Sequence, residues 1–228
     1  MLLKISRERI QSELDKLLVS DYPDRVILLD TYGILPFIFS DCESSQTDYF
    51  SKYEGNIGKT RIQLLAEKLS RAKQDHYIRW ALAITYLPYE NILKSLKFDN
   101  KTIKICEKLR AFSEEELHTD KPAIRHLAVK IGTDIFQKYY LEYRKNMGNI
   151  SDEVLKQIED TYNKIEANKD CLSLEELKIN GTDLQQHNIA KGKQIGEVLN
   201  YLFDMVLTDE KLNEKEILQK MAIEYIAK

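Results

Sequence analysis

Glycine and proline are scarce in this chain, and this scarcity limits its possible folds more than any other feature. Only 8 glycines and 4 prolines occur among the 228 residues. β-Sandwiches and β-barrels need turns with glycine or proline at short intervals, so the shortage argues against those classes. Apolar side chains instead recur three and four residues apart, which is the spacing of amphipathic helices. We therefore predict an all-α fold, a multi-helical array without a β-sheet.

Capping residues predict where several helices begin. Ser6 and Asp120 precede amphipathic segments, and their side chains can accept a hydrogen bond from the first turn. The polar residues 40–60 predict a loop and a boundary. We predict three segments, 1–50, 51–150 and 151–228. Further helix starts are predicted at Ser113–Glu116, Asp134, Ser173–Glu176, Thr182–Gln185 and Asn213–Glu216.

The charge of the chain is slightly acidic. A net charge of −3 means that any contact with nucleic acid must come from local patches. Residues 94–145 carry 9 Lys and 3 Arg against 8 acidic residues, whereas 172–228 carry 7 Lys against 10. The cysteines form no C-x-x-C pair, so a disulfide framework or zinc knuckle does not fit. With no long apolar run and no signal peptide, we expect a cytoplasmic protein without a membrane partner.

No complete residue set for covalent or metal chemistry occurs. Gly55–Thr60 is similar to part of a phosphate loop, but that loop requires a glycine where Tyr53 stands. We interpret this segment as an ordinary loop, with phosphate binding as the alternative. No histidine is directly followed by an aspartate and no Asp-x-Asp occurs, although metal-dependent phosphohydrolases and nucleotidyltransferases use such pairs. We predict no catalytic residue, metal ligand or cofactor in this chain.

Residues 177–199 hold three unusually placed glycines. Gly181 permits a left-handed turn, and Gly192 stands where a long helix begins. Gly196 lies one turn inside that helix, where it costs about 1 kcal/mol relative to alanine. We interpret this glycine as leaving room for the close approach of another backbone, which would explain why the cost is tolerated. Lys191 and Lys193 flank the helix start, so the lysines, the free amide groups and the helix dipole predict a phosphate site. The alternative is a tight helical hairpin with solvated lysines.

This stretch resembles the C-terminal tail of bacterial CCA-adding tRNA nucleotidyltransferases, in the poly(A) polymerase family. The family pattern is Gly-x-Asp-Leu, then Gly-Ile-x-x-Gly-x-x-Ile-Gly-x-x-Leu, then a segment with asparagine before the last helix. The chain departs from it at Asn188, which replaces a glycine, and lacks the proline often found beside Gly192. The matching residues are Gly181, Asp183, Leu184, Ile189, Gly192, Ile195, Gly196, Leu199 and Asn213.

Other segments resemble the same family in the same order. Residues 5–18 are similar to its last head/neck motif, with matches at Glu8, Arg9, Glu13 and Lys16. Lys94–Lys101 and Asp120–Arg125 resemble two body motifs. The resemblance implies a neck over 1–50, a body over 51–150 and a tail over 151–228.

The resemblance also implies that the catalytic head is missing. In the family, the head carries paired aspartates that work with Mg²⁺ and CTP or ATP, and it lies before the point where this chain starts. Some relatives also carry a His-Asp metal pair in the body, where this chain has Ile84 and Thr85. The chain is expected to be a fragment, one half of a split enzyme or a head-less relative. These alternatives stay open, as do CCA- or A-addition and the oligomeric state.

The function implied by the resemblance is tRNA binding through shape and phosphate contacts, without nucleotidyl transfer in this chain. Arg9 and Glu13 are expected to stabilise the neck helix. The rival reading, favoured by the acidic pI of 5.9, is a helical protein-interaction scaffold that has lost RNA binding. A degenerate phosphohydrolase is a third alternative. The candidate phosphate-binding residues are Lys101, Lys104, Arg110, Arg125, Lys130, Lys191, Gly192 and Lys193.

Aromatic residues 139–143 offer a second kind of contact. Tyr139, Tyr140 and Tyr143 could stack on unpaired bases. However, they share an amphipathic stripe with Ile135 and Phe136, which favours core packing.

Overall fold

The computed structural model describes residues 5–42, 59–87, 89 and 91–227. Within these ranges the chain is helical and contains no β-sheet, so the predicted all-α class is confirmed. No helix in the described part is both long and apolar enough to span a bilayer. The α-helices are α1 (Arg7–Leu18), α2 (Val26–Thr31), α3 (Leu35–Ile38), α4 (Arg61–Arg71), α5 (His76–Tyr86), α6 (Ile92–Ser95), α7 (Asn100–Ala111), α8 (Lys121–Ile131), α9 (Thr133–Ile135), α10 (Leu141–Met147), α11 (Asp152–Ala167), α12 (Gly181–Gln186), α13 (Lys193–Thr208) and α14 (Lys215–Ile226).

The chain divides into two compact units. The first unit lies within Met1–Glu115 and Gln137–Ser151, and the second within Glu116–Phe136 and Asp152–Lys228. The division into 1–50, 51–150 and 151–228 stays a prediction.

Helix α5 forms the centre of the first unit and packs against α4 and α7. The Asp75 carboxylate starts α5 by accepting hydrogen bonds from its first turn. Trp80 and Leu82 are almost fully buried in it. The buried Arg79 guanidinium donates to the backbone carbonyls of Leu18, Ser20, Ala72 and Lys73. One side chain therefore stabilises the backbone at the C-terminal ends of both α1 and α4.

The helical residues from Thr133 to Met147 include a π-helical turn. Phe136–Tyr140 forms a π-helical turn between α9 and α10. Tyr140 and Tyr143 are fully buried, so core packing is confirmed for these two, while Tyr139 is only half-buried.

Helices α8, α11, α13 and α14 form most of the second unit. Helix α8 packs against α11 and α13, and α13 also packs against α14. The hydrophobic core of this unit includes Leu184, Val198, Leu202, Val206 and Leu218.

The predicted helix starts are partly confirmed. Ser6 and Asp120 cap α1 and α8, and Ser173 caps a 3₁₀ turn over Leu174–Glu176. The starts at Ser113 and Asp134 are wrong, because Ser113 lies in a turn after α7 and the run containing Asp134 already begins at Thr133.

The predicted loop at residues 40–60 lies mostly outside the described residues. Two residues of its glycine motif are described. Lys59 forms an ion pair with Glu67, and Thr60 forms a capping box with Gln63 at the start of α4. Both side chains are thus used within the protein.

Candidate nucleic-acid interface

Residues Asn180–Gly196, which we call the glycine corner, begin with a reciprocal helix cap. The Asn180 side-chain oxygen accepts hydrogen bonds from the amides of Thr182 and Asp183. The Asp183 carboxylate accepts one from the amide of Asn180 at 3.0 Å. The capping box at this helix is therefore Asn180–Asp183, and the predicted box Thr182–Gln185 is wrong by two residues.

Close packing in the corner occurs at Gly181. A Cβ atom on Gly181 would lie 3.0 Å from Cγ2 of Ile195, which is tighter than normal packing. A Cβ atom on Gly196 would meet no atom within 4 Å. The expectation that Gly196 makes room for another backbone is therefore wrong. Helices α12 and α13 approach each other closely at Gly181 instead.

Polar contacts connect the glycine corner, and the residues just before it, to the start of α14. Lys215 Nζ donates to the Asp183 carboxylate at 2.6 Å, and this hydrogen bond lowers the pKa of Asp183 below its ordinary value. The Asn213 side chain accepts from the amide of Lys178 and donates to the carbonyl of Glu176. Asn213 therefore connects two backbone segments and does not cap α14, where Glu214 is the N-cap residue.

The exposed tip of the corner carries two lysines. Asn188 and Gly192 adopt positive φ values of 54° and 56°, so Asn188 fills the place of the family glycine in a left-handed conformation. Helix α13 begins at Lys193 without a side-chain cap, so its first amide groups are not satisfied by a capping side chain. Lys191, Gly192 and Lys193 are all exposed, and in the described part of the chain neither lysine has an ion-pair partner.

The predicted phosphate-binding residues on α7 are placed on the first unit. Lys101 and Lys104 are exposed and lie one turn apart. Arg110 is half-buried and makes a contact within the protein. The Asp99 carboxylate caps this helix by accepting from the amides of Lys101 and Thr102.

Helix α8 carries the remaining two candidates on the second unit. Lys130 is exposed in the last turn and makes a contact within the protein. Arg125 is only 1% exposed. Its guanidinium lies 3.4 Å from the Asp170 carboxylate and 2.8 Å from that of Glu210.

Two cationic side chains and two carboxylates pair with one another in the second unit, and we call them the arginine cluster. Its members are Arg125, Lys121, Asp170 and Glu210. Lys121 Nζ lies 2.9 Å from Asp170 and 2.7 Å from Glu210. The hydrogen bond from Lys121 lowers the pKa of Glu210 to about 2. Burial lowers the pKa of Lys121, but its hydrogen bonds to both carboxylates outweigh this, so the net shift is upward. Arg125 is therefore structural here, and we correct its assignment by leaving it out of the candidate phosphate surface.

The neck residues lie on the solvent side of α1. Arg9 and Glu13 are exposed, and Glu13 pairs with Lys16 at 2.9 Å. Such an exposed pair contributes at most about 1 kcal/mol, so its contribution to the stability of α1 is small.

Ile84 and Thr85, the residues that the resemblance sets opposite a His-Asp metal pair, are used in packing within the first unit. Ile84 is buried, and the Thr85 hydroxyl lies 2.9 Å from the Tyr143 hydroxyl. Among the described residues, no group of three or more His, Cys, Asp or Glu is placed to hold a metal ion.

Comparison with known families agrees with this arrangement. A family model described as tRNA nucleotidyltransferase domain 2 matches residues 72–222. The chain belongs to the tRNA nucleotidyltransferase family. A second model, described as "Probable RNA and SrmB- binding site of polymerase A", matches residues 1–45. The resemblance predicted from the neck, body and glycine motifs is thus confirmed. A search of curated proteins and a search of solved structures found no match.

The family match covers α5 to most of α14, and the second match covers α1 to α3. Sequence reasoning found the glycine corner but missed several residues that hold it or the arginine cluster in place. The missed residues are Asn180, Lys215, Lys121, Asp170 and Glu210. Only Asn180 left a readable signal, because Asn180-x-x-Asp183 has capping-box spacing.

Proposed function

We propose that this chain is a tRNA-binding helical region, which recognises folded RNA by its shape and its phosphates. The observation that carries the proposal is the pair of family matches, over residues 1–45 and 72–222. One description names an RNA-binding site and the other names tRNA nucleotidyltransferase. Recognition of folded RNA relies mainly on backbone contacts and contour, and extended helical surfaces suit this task.

The glycine corner supports the proposal because it presents charge from a rigid base. Asn180, Asp183 and Lys215 hold the start of α12. Lys191 and Lys193 project from the exposed tip without an ion pair in the described residues. A phosphate there would meet two ammonium groups and the positive end of α13, which favours anions.

Lys101 and Lys104 support the proposal on the first unit. Both are exposed on α7, and residues 94–145 have more basic than acidic residues. We include Arg110 and Lys130 as weaker candidates because each already has a contact within the protein. The proposal predicts binding that weakens steeply with salt, because phosphate contacts release counterions.

Nucleotide addition is outside the proposed role. We assign it to a head with paired aspartates that uses Mg²⁺ and CTP or ATP, whether fused or on a separate polypeptide. The purified chain is therefore expected to bind tRNA but to add no nucleotides when incubated with Mg²⁺, CTP and ATP.

A filter-binding assay tests the proposal. A tRNA transcript is compared with an unstructured RNA of the same length over a range of salt concentrations. We expect tighter binding of the tRNA at every salt concentration, and a binding constant that falls linearly with salt on logarithmic axes. Equal affinity for both RNAs would refute shape recognition. A folded protein that binds neither RNA would refute the proposal and favour the interaction scaffold.

A further inference from the structure

Two partly exposed tyrosines in the first unit pack against each other, and phosphate binding gives them no role. Tyr77 lies in the first turn of α5, and Tyr139 lies in the π-helical turn. Their ring centroids are 5.0 Å apart with an interplanar angle of 60°. Both residues are half-buried, whereas the neighbouring Tyr140 is fully buried. We call Tyr77 and Tyr139 the tyrosine pair.

The Tyr77 ring packs against two other aromatic rings, and a lysine ammonium group lies over it. The His76 ring meets it edge-on, with centroids 5.1 Å apart at 84°, and Tyr139 packs against it as described. Lys101 Nζ lies 5.9 Å from the Tyr77 ring centroid. Because a lysine head is strongly hydrated and sits on a flexible stem, the cover can be displaced by a flat ligand.

Lys101 is the cation that faces the tyrosine pair and can bind a phosphate there. Lys101 and Lys104 are exposed on α7. The carboxylates of Asp75 and Asp99 keep their negative charge while they accept hydrogen bonds from the first turns of α5 and α7. The Asp15 carboxylate is paired with His76. π-Helical turns are rare and often occur at functional sites, which agrees with the placement of Tyr139.

We infer that the tyrosine pair and Lys101 form a stacking site for one unpaired RNA base. The base takes the place of the Lys101 head over Tyr77, and the ammonium group then binds the adjoining phosphate. Stacking on aromatic rings is how single-stranded nucleic acid is bound without a sequence preference. This inference rests on the proposed function, because it names the part of the RNA that the first unit binds.

Paired and unpaired RNA probes separate stacking from phosphate contact. The full chain is titrated with a 12-nucleotide oligouridine and with a hairpin whose two strands are joined by a polyethylene glycol linker, so that every base is paired and the number of phosphates is the same. In the variant Tyr77→Leu/Tyr139→Leu, we expect about a tenfold loss of affinity for the oligouridine and no change for the hairpin. The matched control, Tyr77→Phe/Tyr139→Phe, keeps the rings and should bind both probes as the parent chain does.

Two results with the leucine variant would overturn the inference. One is unchanged binding of oligouridine, and the other is an equal loss for both probes, which would mean that the tyrosines only support the fold. Circular dichroism shows whether the variant is folded. If the leucine variant does not fold, the cross-linking experiment with the unaltered chain decides.

Photo-cross-linking of the unaltered chain uses oligouridine with a single 5-iodouridine. Long-wavelength light couples this base to an aromatic ring stacked on it, and peptide mass spectrometry locates the bond. We expect the cross-link at Tyr77 or Tyr139. If the chain binds the hairpin but oligouridine cross-links only to other residues, the stacking site is overturned while the tRNA-binding proposal stands. A chain that binds neither probe nor tRNA overturns both the stacking site and the proposed function.

Discussion

The arginine cluster and the glycine corner are two regions of the second unit that each contain two cationic side chains, in opposite arrangements. In the cluster, Arg125 and Lys121 each face two carboxylates. At the corner, Lys191 and Lys193 are exposed without ion pairs in the described residues. The local count of lysines and arginines is therefore a poor guide to phosphate binding. What decides is whether the fold brings carboxylates to the cations.

The two regions should respond differently to mutation. A buried cation whose partner carboxylates stay in place affects mainly stability, because its removal leaves an uncompensated charge. An exposed lysine affects mainly binding, because few contacts within the protein depend on it. The following predictions test this contrast, beginning with the largest expected effect.

Replacing the buried arginine should cost the most stability. Arg125→Met leaves two carboxylates, of which Asp170 is only 5% exposed, facing the single charge of Lys121. We expect the free energy of unfolding in urea to fall by about 3–5 kcal/mol. Arg9→Met, at an exposed position on α1, is the control and should change it by less than about 0.5 kcal/mol. Equal small effects would show that the arginine cluster contributes little to stability. Among molecules that remain folded, the Arg125 variant should keep its tRNA affinity.

Replacing the glycine at the corner should have the next largest effect. Gly192 has φ of 56° and ψ of −127°, a conformation that costs a residue with a Cβ about 1–3 kcal/mol. Gly192→Ala should therefore lower the free energy of unfolding by that amount. An unchanged urea midpoint would mean that the corner does not require this conformation.

Gly196→Ala should act in the opposite direction. A Cβ atom at Gly196 meets nothing within 4 Å, and alanine is a better helix former by about 1 kcal/mol. We expect a stabilisation of up to about that size, measured by urea unfolding alongside Gly192→Ala. A loss of stability would contradict the open space at this position.

Acid should weaken the arginine cluster, with the smallest effect in this series. The pKa of Glu210 is lowered from 4.5 to about 2, so its stabilising contribution is complete above about pH 4.5 and is lost as the pH falls toward 2. The Glu210 side chain is 37% exposed, so solvent screening keeps the contribution small. The difference in unfolding free energy between the parent chain and Glu210→Gln should shrink over this range. A difference that grows on acidification would contradict the assignment.

The fold could largely be predicted from the sequence because its signals are local. Apolar spacing and the caps at Ser6 and Asp120 depend on residues within one or two turns, and these predictions are confirmed. Asn188 could also be predicted as a left-handed position, since few residues tolerate that conformation, whereas the left-handed turn predicted at Gly181 lies at Gly192 instead. The wrong helix start at Ser113 has the correct spacing, but the polypeptide there leaves the helix after α7.

The candidate site was harder to predict because it depends on distant residues. Arg125 and Glu210 are 85 positions apart, and nothing near Arg125 in the sequence indicates that its charge is compensated. Gly181 and Gly196 show the same difficulty at shorter range. Both fit the family pattern, but which glycine lies against another element depends on the side chain of Ile195. The sequence thus predicts the type of surface better than it predicts the individual contacts.

The salt dependence of tRNA binding by Lys191→Glu/Lys193→Glu tests the central claim most directly. The matched control is Lys156→Glu/Lys164→Glu, which changes the net charge equally at two exposed lysines of α11. We predict that reversal at the glycine corner weakens binding about tenfold or more and reduces the slope of log affinity against log salt by about one for each lost contact. The control should show a much smaller change. Equal effects of the two variants on affinity and slope would contradict a phosphate-binding role for the glycine corner.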